Sequence, residues 1–265
     1  MNRRCLVVKF GGETVSSPDL PAIACDLRTL ANDGFALVVS HGGGPQATAL
    51  SKRLGLEPRI VGGRRITDDA TLEVMKLVIA GQTNVDLSAQ LRAVGLRPIG
   101  LHDVVRATKR PPRLVTGGGD EPIDFGHVGD VTGFDVGLLV RLFDAGYVPV
   151  IACLGHDDAG QVFNINADVV ANQLAGALQA DALVLLTNTN GVLQDVNDPS
   201  SRISRLTVSE AQRAIEAGTI SGGMIPKLEE SFAALSLGTR AIVITQGEVA
   251  RALRSPGSVG TVLVP

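Results

Sequence analysis

The sequence alternates between short apolar runs and longer amphipathic stretches along nearly its whole length. The apolar run 5–8 is followed by a helix-like stretch that starts at Ser17-Pro18-Asp19 and stops at Gly34, and the apolar run 36–40 comes next. Short apolar runs are typical of buried strands, and helices between them allow neighbouring strands to pair in parallel. The alternation therefore predicts an α/β fold, a three-layer αβα sandwich with a central, mainly parallel open sheet.

The same pattern predicts the remaining elements and a single domain. Helices are predicted near 45–54, 67–79, 85–94, 134–145, 168–178, 209–217 and 224–237, and strands near 98–101, 148–154, 162–165, 182–187, 241–245 and 261–264. The stretch 108–132, rich in proline, glycine and charge, predicts hairpins or a flap outside the core. We expect one domain over 1–265, with two lobes at about 1–178 and 179–265.

Composition excludes several classes of protein. With 265 residues, of which 45% are apolar, the chain is long enough to bury a substantial core. A net charge of −3 and an aromatic content of 3%, without tryptophan, argue against a nucleic-acid partner. The longest apolar runs are about six residues, too short for a membrane span, and the N-terminal run stops at Lys9, too early for a signal sequence. We expect a cytoplasmic protein with no membrane partner.

Two further patterns predict buried side chains. The three cysteines are widely spaced and odd in number, which predicts free, buried thiols at Cys5, Cys25 and Cys153. An apolar stripe at helical spacing near 67–79 predicts a face packed in the core, with a subunit contact as the alternative. The stripe consists of Leu72, Met75, Val78 and Ile79.

Lysine is rare in this chain, with five against nineteen arginines, and one of the five ends a buried strand. Lys9 closes the first apolar run and Gly11-Gly12 follow, while the second run leads into His41-Gly42-Gly43-Gly44. Glycines at the carboxyl edge of a parallel sheet expose backbone N–H groups and let an anion come close. Structural turns would account for the glycines alone, but together with Lys9 they predict a phosphate site.

Several familiar motifs are missing from the sequence. There is no G-x-S-x-G, so the hydrolase interpretation of the His41–Gly44 string fails. Neither G-x-G-x-x-G after a strand nor G-x-x-x-x-G-K-[ST] occurs, which leaves out the dinucleotide fingerprint and the Walker A loop.

Three further segments carry polar residues with two possible roles each. In the string 164–168, Asn164 and Asn166 fall on one side of a strand and Asp168 begins a helix, which predicts either a helix N-cap or a polar cluster in which Asp168 orients a cation. Lys227 follows two glycines at a helix start and is either a solvated lysine or part of the site. Arg65 precedes a helix and either faces solvent or presents its guanidinium to a carboxylate.

Six strings of this sequence occur in the order seen in the acetylglutamate kinase family of the amino-acid kinase superfamily, and the resemblance covers essentially the whole chain. The strings are Lys9-Phe10-Gly11-Gly12, His41-Gly42-Gly43-Gly44, Gly63-Arg64-Arg65-Ile66-Thr67, Gly126-His127-Val128-Gly129-Asp130, Asn164-Ile165-Asn166-Ala167-Asp168 and Gly222-Gly223-Met224-Ile225-Pro226-Lys227. Each string is weak alone, but six in register are highly specific for the superfamily.

The resemblance implies a kinase that phosphorylates the side-chain carboxylate of N-acetyl-L-glutamate with ATP, in arginine biosynthesis. Lys9 and Lys227 resemble the lysines that neutralise the transferred phosphoryl group, and Asp168 the aspartate that holds them. The substrate site is implied at Gly43, Gly44, Arg65 and Asn164. The nucleotide site is implied at Gly11, Gly12, Gly42, Asn188, Thr189, Asn190, Gly191, Val192, Leu193, Thr219, Ile220 and Ser221. Mg²⁺ is expected through the nucleotide phosphates, without a protein metal site.

The resemblance also assigns the lobes and an assembly. The lobe at about 1–178 would hold the amino-acid substrate and the lobe at about 179–265 the nucleotide. Arginine-inhibited members of the family carry an additional N-terminal helix that builds hexamers, and this chain begins only four residues before its first predicted strand. The resemblance therefore implies a homodimer that arginine does not inhibit.

One position differs from the family's usual pattern. Asn188 follows the threonine that ends a predicted strand, where members commonly have aspartate. A related kinase that acts on carrier-protein-linked aminoadipate often carries asparagine there. The alternatives are therefore a kinase for that substrate or for glutamate, or a non-catalytic ligand sensor that keeps the fold. A carboxylate acceptor is already ionised at pH 7, so the implied reaction needs no catalytic base.

Overall fold

The computed structural model of the protein describes residues 3–115 and 119–265. The strands are β1 (Cys5–Phe10), β2 (Ala36–His41), β3 (Ile60–Val61), β4 (Arg64–Arg65), β5 (Pro98–Leu101), β6 (Val105–Lys109), β7 (Gly129–Phe134), β8 (Val148–Ala152), β9 (Leu154–His156), β10 (Val162–Asn164), β11 (Ala182–Leu186), β12 (Val192–Leu193), β13 (Arg202–Ile203), β14 (Arg205–Thr207), β15 (Ile242–Thr245) and β16 (Thr261–Val264). The helices are α1 (Gly12–Val15), α2 (Leu20–Asn32), α3 (Gly44–Arg53), α4 (Asp69–Met75), a π-helical segment (Lys76–Thr83), α5 (Asn84–Ala93), α6 (Val136–Asp144), α7 (Ala167–Ala177), a 3₁₀ turn (Pro199–Ser201), α8 (Val208–Glu216), α9 (Met224–Ser236) and α10 (Val249–Arg254).

A central sheet of eight strands forms the middle layer, in the order β14-β16-β15-β11-β1-β2-β8-β5. Six of its seven strand pairings are parallel, and only β15 and β16 pair antiparallel. The strands β1 and β2, which carry the glycine-rich ends, are direct neighbours near the centre of the sheet. The predicted mainly parallel open sheet is confirmed.

Alternation along β1 divides the core between the two faces of the sheet. Leu6, Val8 and Phe10 pack in one cluster with apolar residues of α2, α5 and α10. Cys5 and Val7 pack in the other cluster, with residues of α4, α6, α7, α8 and α9. Helices therefore cover both faces, which confirms the predicted three-layer αβα sandwich. Since Lys9 follows Val7 by two residues, its side chain leaves the sheet on the α7 side.

A smaller four-stranded sheet, in the order β10-β9-β6-β7, lies beyond the carboxyl edge of the central sheet. The strands β6 and β7 pair antiparallel and are joined by the segment in which a hairpin or flap was predicted. That prediction is confirmed for the described part, while residues 116–118 lie outside the described residues. Its placement outside the core is wrong for three side chains, because Arg110, Phe125 and Val128 are buried.

Four further predictions differ from the structure. The helices predicted near 67–79 and 85–94 form one continuous helical run, because the π-helical segment keeps helical backbone angles through Asn84. The strand predicted over 148–154 ends at Ala152, and β9 then pairs in the smaller sheet. The helix predicted from Phe134 starts at Val136, because β7 extends to Phe134. Cys25 is exposed, since it occupies the solvent side of α2, whereas Cys5 and Cys153 are buried as predicted.

The apolar stripe of the 67–79 helix lies in the core. Its four residues, Leu72, Met75, Val78 and Ile79, are all buried. Within the described ranges, no helix combines the length and the apolar character that crossing a membrane requires.

Candidate active site

Three of the predicted site residues form one ion-paired cluster. Lys9 Nζ lies 2.8 Å from Oδ1 of Asp168, and Lys227 Nζ lies 3.1 Å from Oδ2 of the same carboxylate. Only 9%, 21% and 16% of the side chains of Lys9, Asp168 and Lys227 are exposed. One carboxylate thus holds two ammonium groups in a largely desolvated position, and the cluster keeps an excess positive charge.

Each of the three residues is placed by the end of a regular element. Lys9 is near the carboxyl end of β1, at the point where the α7 face of the sheet opens. Asp168 lies in the first turn of α7, whose N-cap is Asn166: its side chain accepts from the Asp168 N–H at 2.8 Å. Lys227 lies in the first turn of α9. The two roles predicted for the 164–168 string therefore coexist, with Asn166 as the cap and Asp168 in the polar cluster.

Burial and charge act in opposite directions on these groups. Burial alone would raise the pKa of Asp168, but the neighbouring Lys9 and Lys227 hold that pKa below its ordinary value. Burial lowers the pKa of Lys227. The negative charge of Asp168 raises this pKa, and the positive charge of Lys9 lowers it further. Asp168 is therefore ionised at neutral pH. Lys227 loses its proton more readily than an exposed lysine does, because its pKa is lowered.

The two glycine-rich strand ends come together beside the cluster. Gln46, in the first turn of α3, donates from Nε2 to the Gly12 carbonyl at 2.6 Å and ties the two loops together. A Cβ on Gly12 would lie 2.7 Å from both Gln46 Oε1 and Pro45 Cδ, and 3.2 Å from the Gly44 nitrogen. Only glycine permits this approach, which brings both loops within reach of the same anionic group.

A cavity of about 750 Å³ opens on the α3 side of Lys9. Its size is within the range of ligand pockets. Eight predicted residues line it: Lys9, Gly11, Gly12, Gly42, Gly43, Gly44, Arg65 and Asn164. All four residues predicted to bind the amino-acid substrate are among them, although they come from the loop after β2, from α3, from β4 and from β10.

Arg65 and Asn164 are held in place by hydroxyl groups. Arg65 donates from Nη2 to Thr48 Oγ1 at 2.7 Å and to the Gly44 carbonyl at 3.3 Å, and its buried Nη1 has no partner among the described residues. Asn164 Nδ2 donates to Thr67 Oγ1 at 3.1 Å. A guanidinium with a free donor beside Gly44 fits a carboxylate ligand.

A second cavity, of about 640 Å³, lies on the other side of the cluster. It shares Lys9, Gly11 and Gly12 with the first and is closed by Lys227. Of the predicted nucleotide residues, it is lined by Gly11, Gly12, Asn188, Thr189 and Ser221.

Other predicted nucleotide residues lie away from this cavity. Gly42 lines the first cavity, and Asn190 lines a separate pocket beside α2. Val192 and Ile220 are buried. Gly191, Leu193 and Thr219 do not line the second cavity either.

The second cavity has lining residues that the sequence did not single out, including Glu13, Thr14 and Val196. Glu13 follows the Gly11-Gly12 pair directly, so its proximity to that pair was the available signal. Its Oε2 accepts a hydrogen bond from Asn188 Nδ2. The 77% exposed Val196 gave no such signal, because a single valine in a polar loop has no periodic partners.

The two cavities share Lys9, and Asp168 links Lys9 to Lys227, which lines the second cavity. This arrangement defines a site where an anionic group can pass from one bound ligand to another. Comparisons with known proteins agree with this class of site. The sequence profile described as the amino acid kinase family matches residues 4–246. The chain belongs to the amino acid kinase family.

Two relatives of similar sequence carry the same name. An acetylglutamate kinase of Anaeromyxobacter dehalogenans (strain 2CP-C) is 60% identical over 268 residues, which cover 98% of this chain and 99% of the relative. An acetylglutamate kinase of Sorangium cellulosum (strain So ce56) is 53% identical, over 98% of this chain and 94% of the relative.

A solved structure shares the fold. N-acetylglutamate synthase of Neisseria gonorrhoeae, in complex with coenzyme A and N-acetyl-glutamate, superposes with a TM-score of 0.83 at 25% identity. The alignment covers 99% of this chain and 59% of the synthase chain, so this chain corresponds to little more than half of that protein.

Proposed function

We propose that this protein transfers the γ-phosphoryl group of ATP to the side-chain carboxylate of N-acetyl-L-glutamate, giving N-acetylglutamyl 5-phosphate in arginine biosynthesis. The observation that carries the proposal is the cluster of Lys9, Asp168 and Lys227, in which Lys9 lines both cavities and Lys227 lines the second. The 60% identical relative named acetylglutamate kinase supports the choice of acceptor.

The proposed reaction requires neutralisation of negative charge and does not require a catalytic base. The acceptor carboxylate is ionised at neutral pH, so the barrier is its repulsion from the polyphosphate and the charge spread over the transferred group. Lys9 and Lys227 supply two ammonium groups at fixed positions, and Asp168 keeps them from moving apart. Backbone N–H groups of Gly11, Gly12 and the 42–44 loop add dipoles that need no reorganisation during the reaction.

The two cavities divide the ligands. The amino-acid substrate occupies the first cavity, with Arg65 on its α-carboxylate and Asn164, Gly43 and Gly44 on its remaining polar atoms. ATP occupies the second cavity, between the Gly11-Gly12 pair and Asn188-Thr189, with Ser221 opposite, while the rest of the segments 188–193 and 219–221 does not line it. This division makes the regions at about 1–178 and 179–265 the substrate and nucleotide lobes of one domain.

Magnesium enters with the nucleotide in this proposal. Among the described residues, no group of three or more His, Cys, Asp or Glu side chains is arranged to hold a metal ion. Mg²⁺ commonly keeps several waters and binds through one or two carboxylates together with substrate phosphates, and Glu13 places one carboxylate in the second cavity. When bound, the ion would neutralise charge on the phosphate oxygens.

A second candidate substrate is a carrier-protein-linked aminoadipate. The observation that favours it is Asn188, whose amide takes the place of the usual aspartate and donates to Glu13. A hydroxamate-trapping assay with ATP separates the candidates. We expect the highest kcat/KM with N-acetyl-L-glutamate, compared with glutamate, aspartate and N-acylated aminoadipate. A preference for the aminoadipate derivative would move the assignment to the carrier-linked reaction, and ATP binding without turnover of any acceptor would indicate a ligand sensor.

We further propose a cytoplasmic homodimer. Leu77 and Val85, on the continuous helical run from α4 to α5, are 63% and 62% exposed. Exposed apolar side chains of this size on one element fit a subunit contact. Light scattering at micromolar concentration tests the proposal: we expect twice the chain mass, and the monomer mass for Leu77→Asp combined with Val85→Asp.

A further inference from the structure

His41 is the last residue of β2, directly before the glycine loop, and its imidazole is fully buried. Its Nδ1 lies 3.0 Å from the carbonyl oxygen of Gly42, and its Nε2 lies 2.9 Å from Nδ2 of Asn84. The same Asn84 Nδ2 donates to the carbonyl of Val150 at 2.9 Å. These contacts join β8, α5 and the glycine loop through two side chains, those of Asn84 and His41.

The positions of the hydrogens follow from Val150. Its carbonyl oxygen can only accept, so the end of the Asn84 amide that faces it must be the NH₂ group. The second hydrogen of that NH₂ group then points to Nε2 of His41, which must carry a lone pair. A neutral imidazole with a lone pair on Nε2 has its proton on Nδ1, and Nδ1–H donates to the Gly42 carbonyl.

This hydrogen bond fixes the direction of the next peptide group. In a trans peptide, the C=O of Gly42 and the N–H of Gly43 point in opposite directions. With the Gly42 carbonyl turned to the imidazole, the Gly43 N–H is turned away from the core. In the described part of the chain, neither Gly43 N–H nor Gly44 N–H donates to a backbone carbonyl, and both residues line the first cavity.

Two features place Asn84 where it can do this. It is the first residue of α5 after the π-helical segment, on the inward side shared by the buried Leu87 and Leu91. A π-helical insertion changes the register of a helix, so it sets which residue faces the sheet. Gly100 in β5 leaves the space, because a Cβ there would lie 2.1 Å from Asn84 Oδ1.

We propose that His41 is a positioning residue, whose neutral imidazole turns the Gly42–Gly43 peptide so that the Gly43 N–H faces the amino-acid substrate. This inference rests on the proposed function of the first cavity. Burial lowers the pKa of His41 to about 4, although its hydrogen bond to Gly42 acts in the opposite direction. The imidazole is therefore neutral throughout the physiological range, as the hydrogen-bond pattern requires.

A matched pair of substitutions tests the role. In His41→Asn, the side-chain amide can reach the position of Nδ1 and still donate to Gly42, whereas in His41→Gln it reaches the position of Nε2. We expect kcat/KM for N-acetyl-L-glutamate to fall about tenfold or more in His41→Gln, from the loss of one oriented donor, and less than about threefold in His41→Asn. KM for ATP stays within about twofold in both. Melting temperatures should fall by similar amounts, because both changes remove ring contacts from the core.

A third variant acts from outside the cavity. Gly100→Ala displaces Asn84 and frees the imidazole to change its tautomer, so we expect the selective loss in kcat/KM for N-acetyl-L-glutamate. Gly133→Ala, at a strand glycine with open space around its Cβ position, is the matched control and should leave activity unchanged.

The outcomes separate this inference from the proposed function. Equal losses in His41→Asn and His41→Gln, in proportion to the loss of thermal stability, would show that His41 acts only by packing. Wild-type kcat/KM in His41→Gln would also overturn the positioning role. If the wild-type protein phosphorylates no N-acetyl-L-glutamate at all, the proposed function itself is wrong.

Discussion

The Lys9 ammonium lies 2.8 Å from Oδ1 of Asp168, in a pair that is almost closed to solvent. Lys227 Nζ contacts the other oxygen of this carboxylate. The distance between the two ammonium groups is therefore set by a single carboxylate group. An isolated buried pair would bring little net stability, since desolvation offsets the attraction. Here the second lysine gives the three-residue cluster a net positive charge, which an anionic ligand would balance.

Removing either lysine should slow the reaction more than it weakens binding. We expect Lys9→Ala and Lys227→Ala each to lower kcat by roughly a hundredfold or more, the usual effect of losing one preorganised donor. Steady-state kinetics with saturating ATP and N-acetyl-L-glutamate measures this. Lys76→Ala, at an exposed lysine on the π-helical segment, is the control. A kcat near the wild-type value in either active-site variant would contradict the assigned role.

Asp168→Asn should destabilise the free protein and make its stability depend on ATP. The variant leaves two ammonium groups facing each other without a counter-charge, and breaking a buried pair in this way costs about 3–5 kcal/mol. Thermal melts with and without Mg²⁺-ATP should show a larger ligand-induced rise in Tm for the variant than for the wild type. Equal rises would mean that the carboxylate does not organise the lysines.

The same carboxylate gives a signed pH effect. Since the folded-state pKa of Asp168 lies below its ordinary value of 3.8, its contribution to stability is complete above that pH and is lost as pH falls through the folded-state pKa. Acid unfolding followed by circular dichroism should therefore be less steep in Asp168→Asn than in the wild type. An unchanged acid limb would show that other carboxylates dominate it.

Deprotonation of Lys227 should lower kcat/KM at alkaline pH and so give an alkaline limb in its pH profile. Because burial lowers its pKa below 10.5, kcat/KM should decline with rising pH earlier than ordinary lysine titration would allow. Stability should not fall in that window, since a folded-state pKa below the unfolded one favours the folded state as the proton is lost. In Lys227→Arg, whose guanidinium keeps its proton, the limb should disappear whatever the absolute rate. Persistence of the limb would assign it to another group.

Arg65 should act on substrate binding. Arg65→Gln removes the donor that Thr48 and the Gly44 carbonyl hold beside the first cavity. A charged hydrogen bond contributes about 1.5–3 kcal/mol, so KM for N-acetyl-L-glutamate should rise roughly tenfold to a hundredfold, with a smaller change in kcat. Arg59→Gln, on an exposed arginine just before β3, is the matched control. Equal KM values for the two variants would place the substrate carboxylate elsewhere.

Asn188 and Glu13 should show coupling. Asn188→Asp puts a second carboxylate beside Glu13 in place of the donated hydrogen bond, so we expect a higher KM for ATP and a lower Tm than in the wild type. Adding Glu13→Gln reverses the amide–carboxylate pair and should restore both values. A double-mutant cycle without coupling would show that the contact is incidental.

Periodicity predicted most of the fold because each buried strand and helix repeats its signal over several residues. The π-helical segment was not predictable in this way: periodicity gave two helices, near 67–79 and 85–94, whereas Val78 and Ile79 pack in the core and the helix continues through the gap. The split between β8 and β9 was equally hidden, because the apolar run continues across two different sheets.

Some site residues were predictable from the sequence and others were not. Lys9 was visible because a lysine ends an apolar run. Asp168 and Lys227 each had two possible roles from their local sequence, and the resemblance to a family assigned both to the site of Lys9. Asn84 could not be found from sequence, since its partners His41 and Val150 are each more than forty residues away. Contacts of this kind depend on tertiary packing and leave no periodic trace.

The register of the central sheet has a consequence for how the enzyme would fail. Lys9 is paired with Ser40 on one side and Leu185 on the other. A slip of β1 by one residue would shift Lys9 by about 3.3 Å and turn its side chain to the opposite face of the sheet. The backbone hydrogen bonds of β1 therefore fix the distance between the Lys9 ammonium and the bound ligands. Because β1 is buried and paired on both sides, it should open only when the whole domain unfolds. Heat inactivation should therefore follow the loss of the central sheet and not the earlier opening of exposed loops.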